Sequence, residues 1–194
     1  MTNTQIANLA LAKIAQPALV SLDEQTVVAE QVRTHFDLVR REVLASVHWP
    51  FATRRVLVPR LSAAPAFGFA YAFQLPTDYL SVIDANAEDD SRLPPEAYMV
   101  EGNALLSDSA TCKLRYVADV TDPNQFTPQF AAAFAHLLAA RIAPAVTGDP
   151  QLGMLLEQQA VGLSETAAAA NQNESYERIP DYRLQSESIN ARFQ

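Results

Sequence analysis

Three histidines and one cysteine are the residues that catalysis or metal binding would use first in this 194-residue chain. They are His35, His48, His136 and Cys112. No histidine belongs to an H-E-x-x-H pair, and none stands near the cysteine in a spacing typical of a metal site or an activated nucleophile. The lone cysteine also excludes a disulfide framework. The sequence therefore predicts no metal, no cofactor and no catalytic centre built on these side chains.

An acidic run, DANAEDD at residues 84–90, spaces its oxygen ligands like the beginning of a calcium loop. Asp89 stands where such a loop needs glycine, and Pro95 stands where it needs a bidentate glutamate. These departures favour a solvated loop. Carboxylates such as Asp84 or Glu88 leave one alternative open, a tail-associated glycan hydrolase with paired acids.

Arginines are concentrated around the second quarter of the chain, at Arg40, Arg41, Arg54, Arg55 and Arg60. Arginine suits both phosphate contacts and ion pairs between proteins. The chain carries a formal net charge of −8, whereas holding a nucleic acid needs a basic face. We therefore predict a subunit or partner interface at Arg40, Arg41, Arg54 and Arg55, with a DNA-binding connector protein as the alternative.

Helical periodicity occupies both ends of the chain. Residues 3–15 predict a short helix, and an S-x-x-E capping box at Ser21 and Glu24 predicts the beginning of a second helix of roughly 25 residues. Pro50 should end that helix, and the single Trp49 should anchor the core just beyond it. Two later helices should begin at Thr127-Pro128 and Asp149-Pro150, each a capping residue followed by proline.

The middle of the chain has the period of β-strands instead. Aromatic residues alternate over residues 67–75, a tight hairpin is expected around Glu101-Gly102-Asn103, and residues 112–117 alternate again. The predicted fold is α+β and mainly α: a four-helix bundle with a small antiparallel β insertion between helix 2 and helix 3. Its segments are 1–53 and 121–173 for the helical body, 54–120 for the β insertion and 174–194 for an extended C-terminal tail.

Two further expectations concern the tail and the compartment. Tyr182 and Phe193 lie in the tail, where they should become ordered only against a neighbouring chain and so join the candidate interface. No apolar run approaches the ~20 residues of a membrane helix, and the N-terminus lacks a basic region before its apolar residues. We therefore expect no membrane anchor and folding in a cytoplasm.

An ordered series of short motifs resembles the tail tubular protein A family of short-tailed bacteriophages, the head-to-tail adaptor proteins. The motifs are ANLAL at residues 7–11, Arg40 with Leu44, WPFA at 49–52, AYAFQLP at 70–76 with Asp78, YMVEG at 98–102, Tyr116 with VTD at 120–122, FTPQF at 126–130, and Thr147-Gly148. The resemblance spans roughly residues 6–165 and keeps the order of the motifs.

This resemblance implies a structural virion protein that is not an enzyme. Members of the family form rings, commonly dodecamers, between the portal protein and the tail nozzle protein, at the head-tail junction of the virion. DNA passes through the lumen of the ring without specific binding, and the ring helps to retain the packaged DNA until ejection. An acidic chain is compatible with such a passage, because like charge keeps DNA from adhering. Assembly would take place in the host cytoplasm.

Overall fold

The computed structural model describes residues 1–86, 92–94 and 97–174. Its four α-helices are α1 (Asn3–Lys13), α2 (Val27–Ser46), α3 (Pro128–Thr147) and α4 (Pro150–Glu174). Its strands are β1 (Thr53–Leu57), β2 (Tyr71–Gln74), β3 (Tyr79–Asn86), β4 (Tyr98–Glu101), β5 (Ala104–Ser107) and β6 (Lys113–Ala118). Short 3₁₀ turns at Pro50–Ala52 and Pro123–Gln125 join the helical and strand segments.

The prediction of a four-helix bundle with one small β insertion is wrong. The strands form two three-stranded antiparallel sheets, sheet A in the order β1-β6-β3 and sheet B in the order β2-β5-β4. The described residues are about 48% helical and 20% strand. The β part is therefore two layers of the fold, and it does not hang from one end of a bundle.

Alternation along β6 explains why sheet A is a central layer. Val117 belongs to the core shared with the helices, whereas Leu114, Tyr116 and Ala118 belong to a second core. That second core also contains Phe73 and Leu105 of sheet B. Because side chains alternate between the two faces of a strand, sheet A has the helices on one face and sheet B on the other. The order of layers is helices, sheet A, sheet B.

Helix α3 is the centre of the helical layer. It packs against α1, α2 and α4, and eleven of its residues are buried. Among the described helices, α3 alone is long and apolar enough to cross a membrane. However, 61% of its apolar segment is buried inside the fold, as in the core helix of a globular protein. A helix that is apolar all round must be covered on every side, which is what its three neighbours do.

Helix α4 lies along α3 through small residues. Gly153, Ala160 and Ala167 are buried at a spacing of seven residues, so they share one face of the helix. A Cβ atom on Gly153 would stand 3.1 Å from the carbonyl oxygen of Ala140 and 3.3 Å from the Pro144 ring. The absence of a side chain at this position is therefore what permits the close approach of the two helices.

Trp49 is a core anchor, as the sequence predicted. It is fully buried, and its indole N–H donates to the carbonyl of Val43 over 2.8 Å. Its ring meets Phe130 edge-on, with centroids 5.2 Å apart, and Phe51 packs against the same phenyl ring. This cluster fixes the chain where α2 ends and sheet A begins.

Two boundaries differ from the sequence prediction. Helix α2 begins at Val27 behind the N-cap Thr26. The carboxylate of Glu24 does accept hydrogen bonds from the backbone N–H groups of Val20 and Ser21, as in a capping box. This turn is not followed directly by a helix. The predicted strand over residues 67–75 also shortens to β2, and Phe67 is almost fully exposed.

Candidate assembly surfaces

Arg40 and Arg41 are adjacent in sequence but differ in environment. The side chain of Arg40 is only 8% exposed, and its guanidinium donates to both carboxylate oxygens of Asp119 at 3.0 and 3.2 Å. It also contacts Asp37 one turn earlier in α2. Arg41 is more than half exposed, and its Nε lies 3.6 Å from Asp119. Arg40 thus joins α2 to the end of sheet A, while Arg41 remains accessible to a partner.

Arg54 and Arg55 are exposed on β1, one of the two edge strands of sheet A. Because successive residues of a strand point to opposite faces, these two arginines cannot form one patch. Arg54 donates to the carbonyl of Phe51, and Arg55 lines an open cleft on the other face. The predicted interface residues Tyr182 and Phe193 lie outside the described residues.

The open cleft beside Arg55 measures about 390 Å³. Among the described residues that line it, Asp84 is the one acid, and its carboxylate lies 2.5 Å from the guanidinium of Arg115. Glycoside hydrolysis needs a second carboxylate across the cleft. The second acid named for the hydrolase alternative, Glu88, lies outside the described residues. The described lining of the cleft therefore contains one of the two carboxylates that this chemistry requires.

Two of the histidines lie in helices, whereas His48 is exposed just after α2 and Cys112 directly precedes β6. Nδ1 of His35 lies 2.9 Å from the carbonyl of Gln31, and Nδ1 of His136 lies 2.8 Å from that of Ala132, each one turn back in its helix. Cys112 is fully buried, and this burial raises the pKa of its thiol to about 11. Within residues 1–86, 92–94 and 97–174, no three His, Cys, Asp or Glu side chains converge as metal ligands would.

The outer face of α4 carries large apolar side chains that no other described element covers. Met154, Leu155 and Val161 are each more than half exposed there. Gly162 lies beside them with open space where a side chain would be. The helix has three glutamates and no lysine or arginine. We call this surface the α4 face.

Sheet B presents a second apolar surface, on the side away from sheet A. Ala72, Leu106 and Met99 are paired across β2, β5 and β4, and Leu61 donates its N–H to the carbonyl of Ala72. These four side chains form one row across the sheet, which we call the outer row. The central two are buried, whereas Leu61 is 37% and Met99 is 49% exposed at the ends. Phe67 lies in the loop between Leu61 and β2, and its side chain is 88% exposed.

Comparison with known proteins adds no relative. No family model and no curated protein matches this chain. The two apolar surfaces and the exposed arginines are therefore what the molecule itself offers as evidence of function.

Sequence reasoning named the arginines and missed both apolar surfaces. On α4, Leu156 is buried whereas the adjacent Leu155 is 53% exposed, so the leucines alone do not identify the buried face. The signal that identifies the buried side is the small-residue repeat of Gly153, Ala160 and Ala167. For sheet B the signal is weaker, because the outer row collects single residues from four separate segments.

Proposed function

We propose that this chain is a structural virion protein without catalytic activity, a head-to-tail adaptor that forms a ring. The ring would join the portal protein to the tail nozzle protein of a short-tailed phage and let DNA pass. The observation that carries the proposal is the α4 face, where Met154, Leu155 and Val161 are exposed on one helix, with Gln158 and Glu165 among them. Large apolar side chains that cluster on an exposed face and are rimmed by polar residues mark an interface with another chain.

The charge of the chain supports the second part of the proposal. A formal net charge of −8 is compatible with a passage that repels the phosphates of DNA. The exposed Arg41, Arg54 and Arg55 are distributed over one helix and the two faces of a strand. This distribution favours individual ion pairs with a protein partner over a continuous phosphate-binding track. The sequence resemblance supplies the identity of the partners.

The experiment is native mass spectrometry of the purified full chain, alone and mixed with the cognate portal protein. We expect a ring-sized oligomer of one defined copy number, either free or on the portal. A protein that stays monomeric in both samples at every concentration contradicts the proposal.

A pair of matched variants connects the result to the α4 face. Met154→Glu introduces a charge on that face, and Val20→Glu introduces the same charge on an exposed loop residue that precedes α2. Met154→Glu should shift the population towards monomer, because it places a carboxylate in an apolar contact. Val20→Glu should assemble like the parent protein.

A further inference from the structure

Sheet B is open at both of its edges. One edge is β4, and the other consists of residues 59–61, which run beside β2 through the Leu61-to-Ala72 and Gln74-to-Pro59 backbone hydrogen bonds. In the described part of the chain no strand pairs with the far side of either edge. Unpaired edges of this kind are templates for strand addition unless proline, lysine or a covering segment blocks them. Pro59 does not block its edge, because its carbonyl accepts from Gln74 and its backbone groups therefore face β2.

The backbone groups of the two edges face outward at matching residues. A two-residue hairpin loop is closed by a hydrogen-bonded pair, here Glu101 and Ala104, so Val100 directs its N–H and C=O away from β5. On the opposite edge Pro59 and Leu61 bond to β2, so Arg60 directs its own groups away from the sheet. Val100 of one copy and Arg60 of another can therefore exchange both backbone hydrogen bonds.

The side chains agree with the same register. In an antiparallel pairing that places Val100 opposite Arg60, Met99 comes to lie opposite Leu61. Both are exposed ends of the outer row and lie on the same face of sheet B. The pairing would join the outer rows of two copies into one longer apolar row, and it would bury the two ends that are now in contact with water.

Charge separates this arrangement from pairing between two like edges. The edge strand β4 carries Glu101 and no base, and residues 59–61 carry Arg60 and no acid. Two 59–61 edges that pair through their outward-facing residues would place Arg60 opposite Arg60. The pairing of unlike edges places Arg60 opposite the uncharged Val100 and Glu101 opposite Pro59, so no like charges meet, which favours head-to-tail contact.

We propose that β4 of one copy adds to residues 59–61 of the next copy, so that sheet B continues from subunit to subunit. Contacts between unlike surfaces generate closed rings when the rotation closes. The inference rests on the proposed ring and assigns it a subunit contact distinct from the α4 face.

Disulfide trapping tests the contact in the full chain. The double variant Leu61→Cys/Met99→Cys cannot close a bridge within one copy, because the two positions are three strand spacings, or about 14 Å, apart and a disulfide spans at most about 7 Å between Cα atoms. Cys112 is fully buried and does not compete. Under mild oxidation, with portal present if the parent protein needs it to assemble, we expect a ladder of covalent multimers on a denaturing gel without reductant.

Each single variant is the matched control. Leu61→Cys alone and Met99→Cys alone should remain monomeric on the gel, because head-to-tail pairing places each cysteine beside a native residue. Dimers from either single variant at the yield of the double variant would show pairing of like edges and overturn the inference. A parent protein that assembles while the double variant gives no ladder would also overturn it and leave the proposed ring intact.

Replacing the edge donor gives a second measurement that does not depend on oxidation. Val100→Pro removes an N–H that faces away from β5, so the β4–β5 ladder should persist and the circular dichroism spectrum should match that of the parent. We expect at least a tenfold weaker self-association. Unchanged assembly of a folded Val100→Pro protein would count against the inference.

Discussion

The ion pair between Arg40 and Asp119 predicts a strongly asymmetric response to mutation. Asp119→Ala would leave a guanidinium that is 8% exposed without its principal carboxylate. Removing one partner of a buried pair typically costs about 3–5 kcal/mol. Asp37 still contacts Arg40, although its own side chain is largely exposed, so we take the lower end, about 3 kcal/mol.

The reverse change should cost much less. Arg40→Met keeps the apolar stem of the side chain and removes the charge. The carboxylate left behind is 22% exposed and has Arg41 Nε 3.6 Å away, so it keeps both water and a counter-charge. We expect a loss of about 1 kcal/mol, within the range for a partly exposed pair. The double variant should be about 2 kcal/mol more stable than Asp119→Ala alone, because the buried charge is gone.

Urea unfolding, followed by circular dichroism and Trp49 fluorescence at one fixed protein concentration, measures these differences. In thermal melts about 3 kcal/mol corresponds to a fall in Tm of roughly 6–12 °C for a chain of this size. Asp37→Ala, at the exposed partner, is the control and should cost under about 1 kcal/mol. The reasoning is refuted if Asp119→Ala is no worse than Arg40→Met, or if the losses of the two single variants simply add.

Three further outcomes can be checked on the same protein. Gly162→Ala should stabilise α4 by about 0.5–1 kcal/mol, because its Cβ would meet open space. Gly153→Ala should lack this gain, because its Cβ would stand 3.1 Å from the Ala140 carbonyl oxygen and α3 would have to shift to admit it; urea midpoints distinguish the two. Burial and a hydrogen bond to Asp78 raise the pKa of Tyr116 to about 12, above its ordinary 10.0. The contribution of the neutral phenol to the free energy of unfolding is therefore fully present below pH 10 and falls by on the order of 1–2 kcal/mol by pH 12. Tyr116→Phe should lack this fall in alkaline urea titrations. Cys112, buried and with a raised pKa, should not react with a thiol reagent at pH 8 until urea unfolds the chain, and a fast native reaction would contradict its placement.

The helices could be predicted from the sequence because their signals are local. Thr127 caps α3 through its hydroxyl, and Pro128 occupies the first turn, as the dipeptide indicated. Trp49 likewise follows from its size and from Pro50. The buried face of α4 followed only in part, because its leucines are spread over two faces: Leu156 is buried, whereas Leu155 is exposed. Where α3 presents Ala140 and a proline ring, Gly153 makes the closest contact.

The layering of the two sheets could not be predicted for a different reason. Strand periodicity tells which residues share a face, but it does not tell which strands pair. β6 lies at the centre of sheet A, between β1 and β3, although it is the last strand in sequence. Likewise β5 separates β2 from β4. The outer row therefore exists only after long-range pairing, and so does the pair of open edges.

The central position of α3 also has a consequence for biosynthesis. The ribosome completes α1, α2 and both sheets before it completes α3, and α4 follows α3. Until α4 has formed, one flank of an almost wholly apolar helix has no partner. Chains truncated after Gly148 and released from the ribosome should therefore recruit chaperones or aggregate more than chains extended through Ala167. Helix α4 thus acts as a cover for α3 during folding as well as in the folded protein.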